Sequence, residues 1–157
     1  YAFVALAASL DIPVVTLVDT AGFDTTSYTE IERASTRMAR LATTYAESNN
    51  THVTVIAGRA YGTASVLLGS RAIGSDICLA LEGADISIIT PETAVQFMYG
   101  DEIDSAADPR EARRARIAEW KEMHGGTGEA AMEGEIDDII APAELRARIA
   151  AAVKEFR

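Results

Sequence analysis

The chain has 157 residues, with 48% hydrophobic residues and 24% charged ones, which is enough apolar material for one buried core and too much for a disordered segment. Its 24 acidic and 14 Lys/Arg residues leave a formal charge of −10, which argues against nucleic acid and anionic membrane surfaces as general partners. Cys78 is the single cysteine, so neither an intramolecular disulfide nor a thiolate metal site is expected, and its apolar surroundings suit a small buried side chain.

In chain order, Tyr1 to Leu10 reads as a short alanine-rich helix buried on most sides, stopped by Asp11-Ile12-Pro13. Val14 to Val18 is a β-branched run suited to a strand buried on both faces, ending in Asp19-Thr20-Ala21-Gly22-Phe23. Ser27 and Glu30 have capping-box spacing, and Ile31, Ala34, Met38, Leu41 and Tyr45 then recur at helical period, predicting an amphipathic helix to about Ser48 with Glu30 and Glu32 in its first turn. Thr51 to Ile56 alternates as a strand and breaks at Gly58. A second turn at Gly62 opens an apolar helix from Thr63 to Ile73, closed by Gly74.

Further on, Asp76 to Leu81 and Asp85 to Ile89 read as short strands. Thr90 as N-cap, Pro91 at the first helical position and Glu92 start a helix that Gly100 is expected to end. An acidic linker, Asp101 to Asp108, leads to a charged helix from Pro109 to about Met123, and Gly125, Gly126 and Gly128 form a joint. Ile136 to Ile140 is a strand, and Pro142 opens a last helix in which Leu145, Ile149 and Val153 share a face. Short strands alternating with helices, without a repeat, predict an α/β fold in one domain spanning residues 1–157.

The turn at Gly62 is the candidate active site. A helix beginning at this point presents the backbone N–H groups of Gly62, Thr63 and Ala64 without intrahelical partners, and such donors favour a developing oxyanion. A plain packing role for the small residues is the competing reading. Ser65 has the position of a strand-turn-helix nucleophile, but the only histidines, His52 and His124, have no spacing that argues for a triad, so Ser65 reads as a packing serine. Asp19-Thr20-Ala21-Gly22 resembles a GTPase turn, yet no phosphate-binding GxxxxGK[ST] loop exists and no lysine precedes Lys121. Asp19 therefore reads as a strand-end carboxylate accepting loop N–H bonds, and Gly22 as a glycine at positive φ. Arg110, Arg113, Arg114 and Arg116 read as a solvated face balanced by Glu111, Glu119 and Glu122, with a phosphate or acidic partner as the alternative. Asp137 and Asp138, neighbours on a strand, should point to opposite faces and share no site.

Taken together, IPVVTLVDTAGF, HVTVIAGRAYGTA, DISIITPETAV and GEIDDIIAPAELRARI resemble, in order and spacing, the C-terminal half of the biotin-dependent acyl-CoA carboxyltransferase family. The resemblance covers nearly the whole chain, and its most specific block runs from Pro13 to Ala64. It implies a crotonase-like (ClpP/crotonase) superhelix of ββα units, here a partial domain, in an oligomer with the site at a subunit interface. It also implies a mechanism with little side-chain chemistry. Carboxybiotin on a biotin carboxyl carrier protein yields CO₂ and a ureido anion that takes the α-proton of an acyl-CoA, and two backbone oxyanion holes stabilise the two charges.

The biotin-facing hole falls on Gly62, Thr63 and Ala64. Tyr61 and Val66 line the pocket, and Gly22 and Phe23 are further cofactor-binding candidates. The CoA-facing hole belongs to an N-terminal carboxyltransferase half, which becomes an expected partner, whether in the same chain or as a separate subunit; no metal is implied. Three places depart from the family pattern. Ala21 replaces the proline of its DTPGF turn, with Thr25-Thr26 for the Pro-Gly after it. Gly126-Thr127-Gly128 stands for Asn-Pro-Tyr. Thr63 replaces a second glycine, where an unusual backbone angle and the approach of biotin are expected. Two other classes stay open: a crotonase- or Clp-type hydrolase or hydratase using Ser65, and a non-catalytic scaffold subunit that has lost the site. The start of the chain lacks the charged region of a signal peptide and no run reaches membrane-spanning length, so a cytoplasmic location is expected. The first residue is not methionine, which is in keeping with a segment of a longer chain.

Overall fold

A computed structural model of the chain describes residues 1–23, 26, 32–124 and 126–156. Five parallel-paired strands, β1 (Val14–Thr20), β2 (His52–Tyr61), β3 (Ile77–Leu81), β4 (Asp85–Ser87) and β5 (Asp138–Ile140), form one sheet in the order β1-β2-β3-β5. β4 continues the β3 edge of β2, so β2 has β3 beside residues 53–56 and β4 beside residues 59–61. Seven α-helices accompany the sheet among the described residues: α1 (Ala2–Ser9), α2 (Ala34–Glu47), α3 (Gly62–Leu67), α4 (Pro91–Ser105), α5 (Pro109–His124), α6 (Thr127–Met132) and α7 (Leu145–Glu155).

Alternation along β2 and β3 sends one set of side chains to each face of the sheet. Val53, Val55 and Leu79 join Ile140 and Ala152 on one side, where Leu145, Ile149 and Val153 of α7 pack as their spacing predicts. Ile56, Cys78 and Ala80 meet Val18, Ala60, Ala130 and Ile136 on the other. Cys78 is buried, and burial raises its thiol pKa to about 11, in keeping with a small core side chain.

Several expectations are corrected. β2 does not break at Gly58 but runs on to Tyr61 through a bulge, where Val18 pairs with Ile56 and Thr20 with Ala60. β1 is buried on one face only: Val14 and Val18 are covered, while Val15 and Leu17 are 40% and 61% exposed. In α1 only Val4 and Ala7 are buried, and Phe3, Leu6 and Leu10 lie open. The helix after Gly62 ends at Leu67, because Gly69 turns the chain at φ +81°, and a separate 3₁₀ turn spans Arg71–Ile73. α4 runs straight through Gly100 to Ser105, so the first five residues of the expected acidic linker are helical. Burial of Ile103 in that extra turn offsets the roughly 1 kcal/mol that a helical glycine costs. β4 stops at Ser87, and Gly128 lies inside α6, with Gly126 before it at φ +99°.

α2 begins at Ala34 after Arg33 in the left-handed region, so Glu32 precedes the helix instead of lying in its first turn; Ser27, Glu30 and Ile31 lie outside the described residues. The stripe of Ala34, Met38, Leu41 and Tyr45 faces inward as its period requires, with Tyr45 buried. Thr90 caps α4 by accepting from the Thr93 N–H, with Pro91 next in the chain. The arginine face of α5 is balanced by carboxylates: Arg116 pairs with Glu102 at 2.6 Å and Glu119 at 2.7 Å, and Arg114 with Glu111 at 3.3 Å. Asp137 and Asp138 diverge, the first accepting from the Cys78 N–H and Arg71, the second from Arg148.

A buried polar group fixes the start of β2. Asn50 donates to the Ile12 carbonyl at 2.6 Å, Thr51 to that of Phe156 at 2.9 Å, and the backbone N–H of His52 to Asp76 at 2.8 Å. The His52 ring lies edge-on to Tyr45 at 5.2 Å, with Nε2 against Asn50 Oδ1 at 3.1 Å. Burial lowers the His52 pKa below 6.5, partly opposed by Asp76. The unfolded chain then binds a proton that the folded one refuses, so stability from this group is full above the unfolded pKa and is lost as pH falls through it toward the folded value. Unfolding free energy measured by denaturant titration is expected to decline on acidification below about pH 6.5, with a shallower decline in His52→Gln.

Candidate functional site at the ends of three strands

The parallel strands β1, β2 and β4 deliver their C-terminal ends to one edge of the sheet. The bulge sets the path of β2 into this region. There the Asp19 carboxylate accepts the Arg59 backbone N–H at 3.0 Å and its guanidinium at 3.2 Å, and these bonds hold the carboxyl below its ordinary pKa. A Cβ on Gly58 would stand 3.0 Å from the Asp19 carboxyl, so glycine is what lets the carboxylate sit over the bulge. Asp19 is thus a strand-end carboxylate, as expected, although its N–H partner lies on the neighbouring strand and not in its own loop.

Beyond the bulge, Tyr61 ends β2 in extended conformation and serves as N-cap residue of α3. Gly62 turns the chain at φ +63°, and a Cβ there would meet the Ile88 carbonyl at 3.3 Å. The left-handed angle belongs to Gly62 alone in this turn: among the described residues only Asp11 and Arg33 combine positive φ with a side chain. Thr63 therefore lies in ordinary helical geometry with its side chain exposed, and the unusual angle expected at position 63 is taken up one residue earlier. Ala64 is buried, and Val66 is 40% exposed on the next turn. No side chain caps α3, and its first N–H groups have no intrahelical acceptors.

Gly22, at φ +111°, approaches the same place from β1: its N–H donates to Thr20 Oγ1 at 3.2 Å, and a Cβ on it would lie 4.0 Å from the Tyr61 carbonyl. Phe23, next to it, is 45% exposed. The turn therefore joins Gly22, Tyr61, Gly62, Thr63, Ala64 and Val66 within one short region. Two grooves among the described residues lie away from this turn, along α4 around Gln96 and Phe97.

Sequence reasoning missed Asp85. The Tyr61 hydroxyl donates to Asp85 Oδ2 at 2.5 Å, and burial, with this bond second, raises the phenol's pKa well above its ordinary value. Only the β2/β4 register reveals that pairing. Ser65 is spoken for, since its hydroxyl donates to the Gly62 carbonyl at 2.7 Å. His52 sits at the far end of β2, about 30 Å of extended strand from Tyr61. His124 ends α5 with its ring 4.4 Å from that of Trp120. Neither histidine is placed by these contacts to serve Ser65 as a base.

The carboxyl transferase domain family matches residues 1–155. The propionyl-CoA carboxylase carboxyltransferase subunit of Haloferax mediterranei is 32% identical over 155 residues, covering 99% of this chain and 30% of its own length. The methylmalonyl-CoA decarboxylase subunit alpha of Propionigenium modestum is 32% identical over 150 residues, with 94% and 28% covered. Among solved structures, the transcarboxylase 12S hexamer crystallised with methylmalonyl-coenzyme A and methylmalonic acid superposes with a TM-score of 0.88 at 31% identity, covering 98% of this chain and 30% of that one. The chain thus spans under a third of the length of these relatives, and its α/β sheet has the crotonase-like fold of carboxyltransferase domains.

The division of labour between Gly62 and Thr63 is open to measurement. Gly62→Ala is expected to lower unfolding free energy by about 1–2 kcal/mol, the cost of a side chain in the left-handed region, whereas Thr63→Ala should stay within about 0.5 kcal/mol of the parent; chemical denaturation of the two variants decides it.

Proposed function

The chain belongs to the carboxyl transferase domain family, and from that premise we propose that it supplies the biotin-facing part of a site that transfers a carboxyl group between biotin and an acyl-CoA. The observation that carries this reading is the turn at Tyr61–Ala64, where a left-handed glycine opens an uncapped helix at the meeting of three strand ends. Biotin, when bound, would supply the transferable carboxyl group. The chain's own part is to hold negative charge with the backbone N–H groups of Gly62, Thr63 and Ala64, which are fixed before the reaction and need no reorganisation during it. Tyr61, Val66, Gly22 and Phe23 would line the approach, the last two from the β1 side. Thr63 fits this role, since its helical backbone leaves its N–H directed as a glycine's would be, and the departure that favoured a scaffold reading loses its force. Ser65, already donating to Gly62, offers nothing to the hydrolase reading.

The open site accords with a second half supplied from elsewhere. We assign that half, with the CoA-facing hole, to an N-terminal carboxyltransferase portion in the same chain or a partner subunit, and the biotin to a biotin carboxyl carrier protein. An oligomeric assembly fits the hexamer named for the 12S relative. Acyl-CoA is the substrate class. The relatives include both a carboxylase and a decarboxylase subunit, in keeping with reversible transfer whose direction the partners set. No helix among the described residues is long and apolar enough to cross a membrane.

In the intact enzyme with its biotin carrier, Ala64→Pro deletes one donor and is expected to slow carboxyl transfer about 100-fold or more, the usual loss for one oxyanion-hole donor. Ser65→Ala should keep the rate within a few-fold. Thr63→Gly, which keeps that N–H, should also stay near the parental rate, and if Ala64→Pro transfers at the parental rate the turn is not the site.

A further inference from the structure

The three-residue seam between β2 and β4 carries a tie that the backbone ladder alone does not provide. In this seam Arg59 pairs with Asp85, Ala60 with Ile86, and Tyr61 with Ser87. Asp85 and Ser87 are two residues apart and share a face, so Tyr61, opposite Ser87, shares that face with Asp85. The 2.5 Å bond from the Tyr61 hydroxyl to Asp85 Oδ2 therefore runs diagonally along the seam and resists sliding of one strand past the other.

Sliding would disturb the residues next in line on both strands. Gly62 comes directly after Tyr61, and the Ile88 carbonyl, one residue past the end of β4, stands where a Cβ of Gly62 would meet it at 3.3 Å. The turn and the end of β4 are in close contact, and a ladder of three pairs is a weak guide to register. Tyr61 as a residue is 7% exposed, and its hydroxyl is held by the carboxylate.

Resting on the functional reading above, we propose that Asp85 is a positioning residue for carboxyl transfer: by holding the Tyr61 hydroxyl it fixes the register of β2 on β4, and so the aim of the N–H groups at the start of α3. It touches no reacting atom. Its effect passes through Tyr61, and an uncharged acceptor at position 85 should serve nearly as well.

The test uses the intact enzyme with its biotin carrier, with rates normalised to the folded fraction. Tyr61→Phe and Asp85→Ala are each expected to lower kcat about 10-fold, a modest share of the loss that a 1 Å misplacement can cause, with KM for the carrier changed less than about twofold. The double variant should be no slower than the slower single one, because both remove one bond. Asp85→Asn, whose amide oxygen can accept the hydrogen bond from the phenol, should recover most of the rate. A kcat for Tyr61→Phe within about twofold of the parent overturns the proposal, even if Asp85→Ala does not fold. So do losses that multiply in the double variant, or an Asp85→Asn enzyme as slow as Asp85→Ala. Ala64→Pro in the same assay separates the two ideas: if it is slow while Tyr61→Phe and Asp85→Ala are fast, only the positioning role falls. If it is fast, the reading of the turn falls.

Discussion

The pairing of β2 on both its edges is the constraint on which the rest of the structure depends. Its ten residues are long enough to pair with β1 from His52 to Ile56 and again at Ala60, and with β3 and then β4 in succession. The change of partner occurs across the bulge at Gly58, where a longer side chain would collide with Asp19. A bulge adds twist and re-aims the strand beyond it, so Tyr61 and Gly62 leave the sheet in a direction set by a carboxylate on the neighbouring strand. The turn proposed as the site is therefore built by backbone pairing, with side chains acting mainly to keep that pairing in place.

The two ends of β2 are held by different physics. At its start, Asn50, Thr51, Thr54 and Ser75 are buried and bond into the surrounding backbone, including the carbonyls of Ile12, Gly69, Phe156 and Ile77, and buried His52 is held by the side chains of Asn50 and Asp76. These bonds are costly to rearrange, because any one lost inside the core leaves a desolvated donor or acceptor. At its end the contacts are fewer and more exposed: the Asp19–Arg59 pair is open to solvent on both sides, and ion pairs of that kind contribute little to stability. The strand is anchored at one end and adjusted at the other, an economical arrangement for a site that depends on direction more than on reactive side chains.

Much of this was legible in the sequence, and the failures have a common cause. The strand-turn-helix at Gly62, the Thr90-Pro91 cap and the Leu145, Ile149 and Val153 face are local signals, fixed by periodicity and turn chemistry over a few residues. The errors at Phe3, Leu6, Val15 and Leu17 come from equating hydrophobicity with burial in this chain. An apolar side chain records that a surface is disfavoured in water, not which neighbour covers it. Gly58 and Gly100 misled for a related reason: a glycine is read as a stop unless the wider packing is visible, and the Asp19 carboxyl beside Gly58 and the burial of Ile103 beyond Gly100 exist only in the folded chain. Asp85 carries no local sign at all, since its partner is 24 residues away and is chosen by register. The family resemblance pointed to the turn by motif, but it located the backbone demand at position 63 when the fold places it at 62.

That one-residue offset separates two requirements that a pair of glycines would leave merged. Position 62 answers to conformation, and the alphabet there is closed. Position 63 answers only to what its side chain does on the open surface of a helix's first turn, and its alphabet is wide. A combinatorial library confined to residue 63 would thus vary the chemistry of the site's rim while leaving the fold's tolerance almost untouched, which makes it the natural first position for redesign.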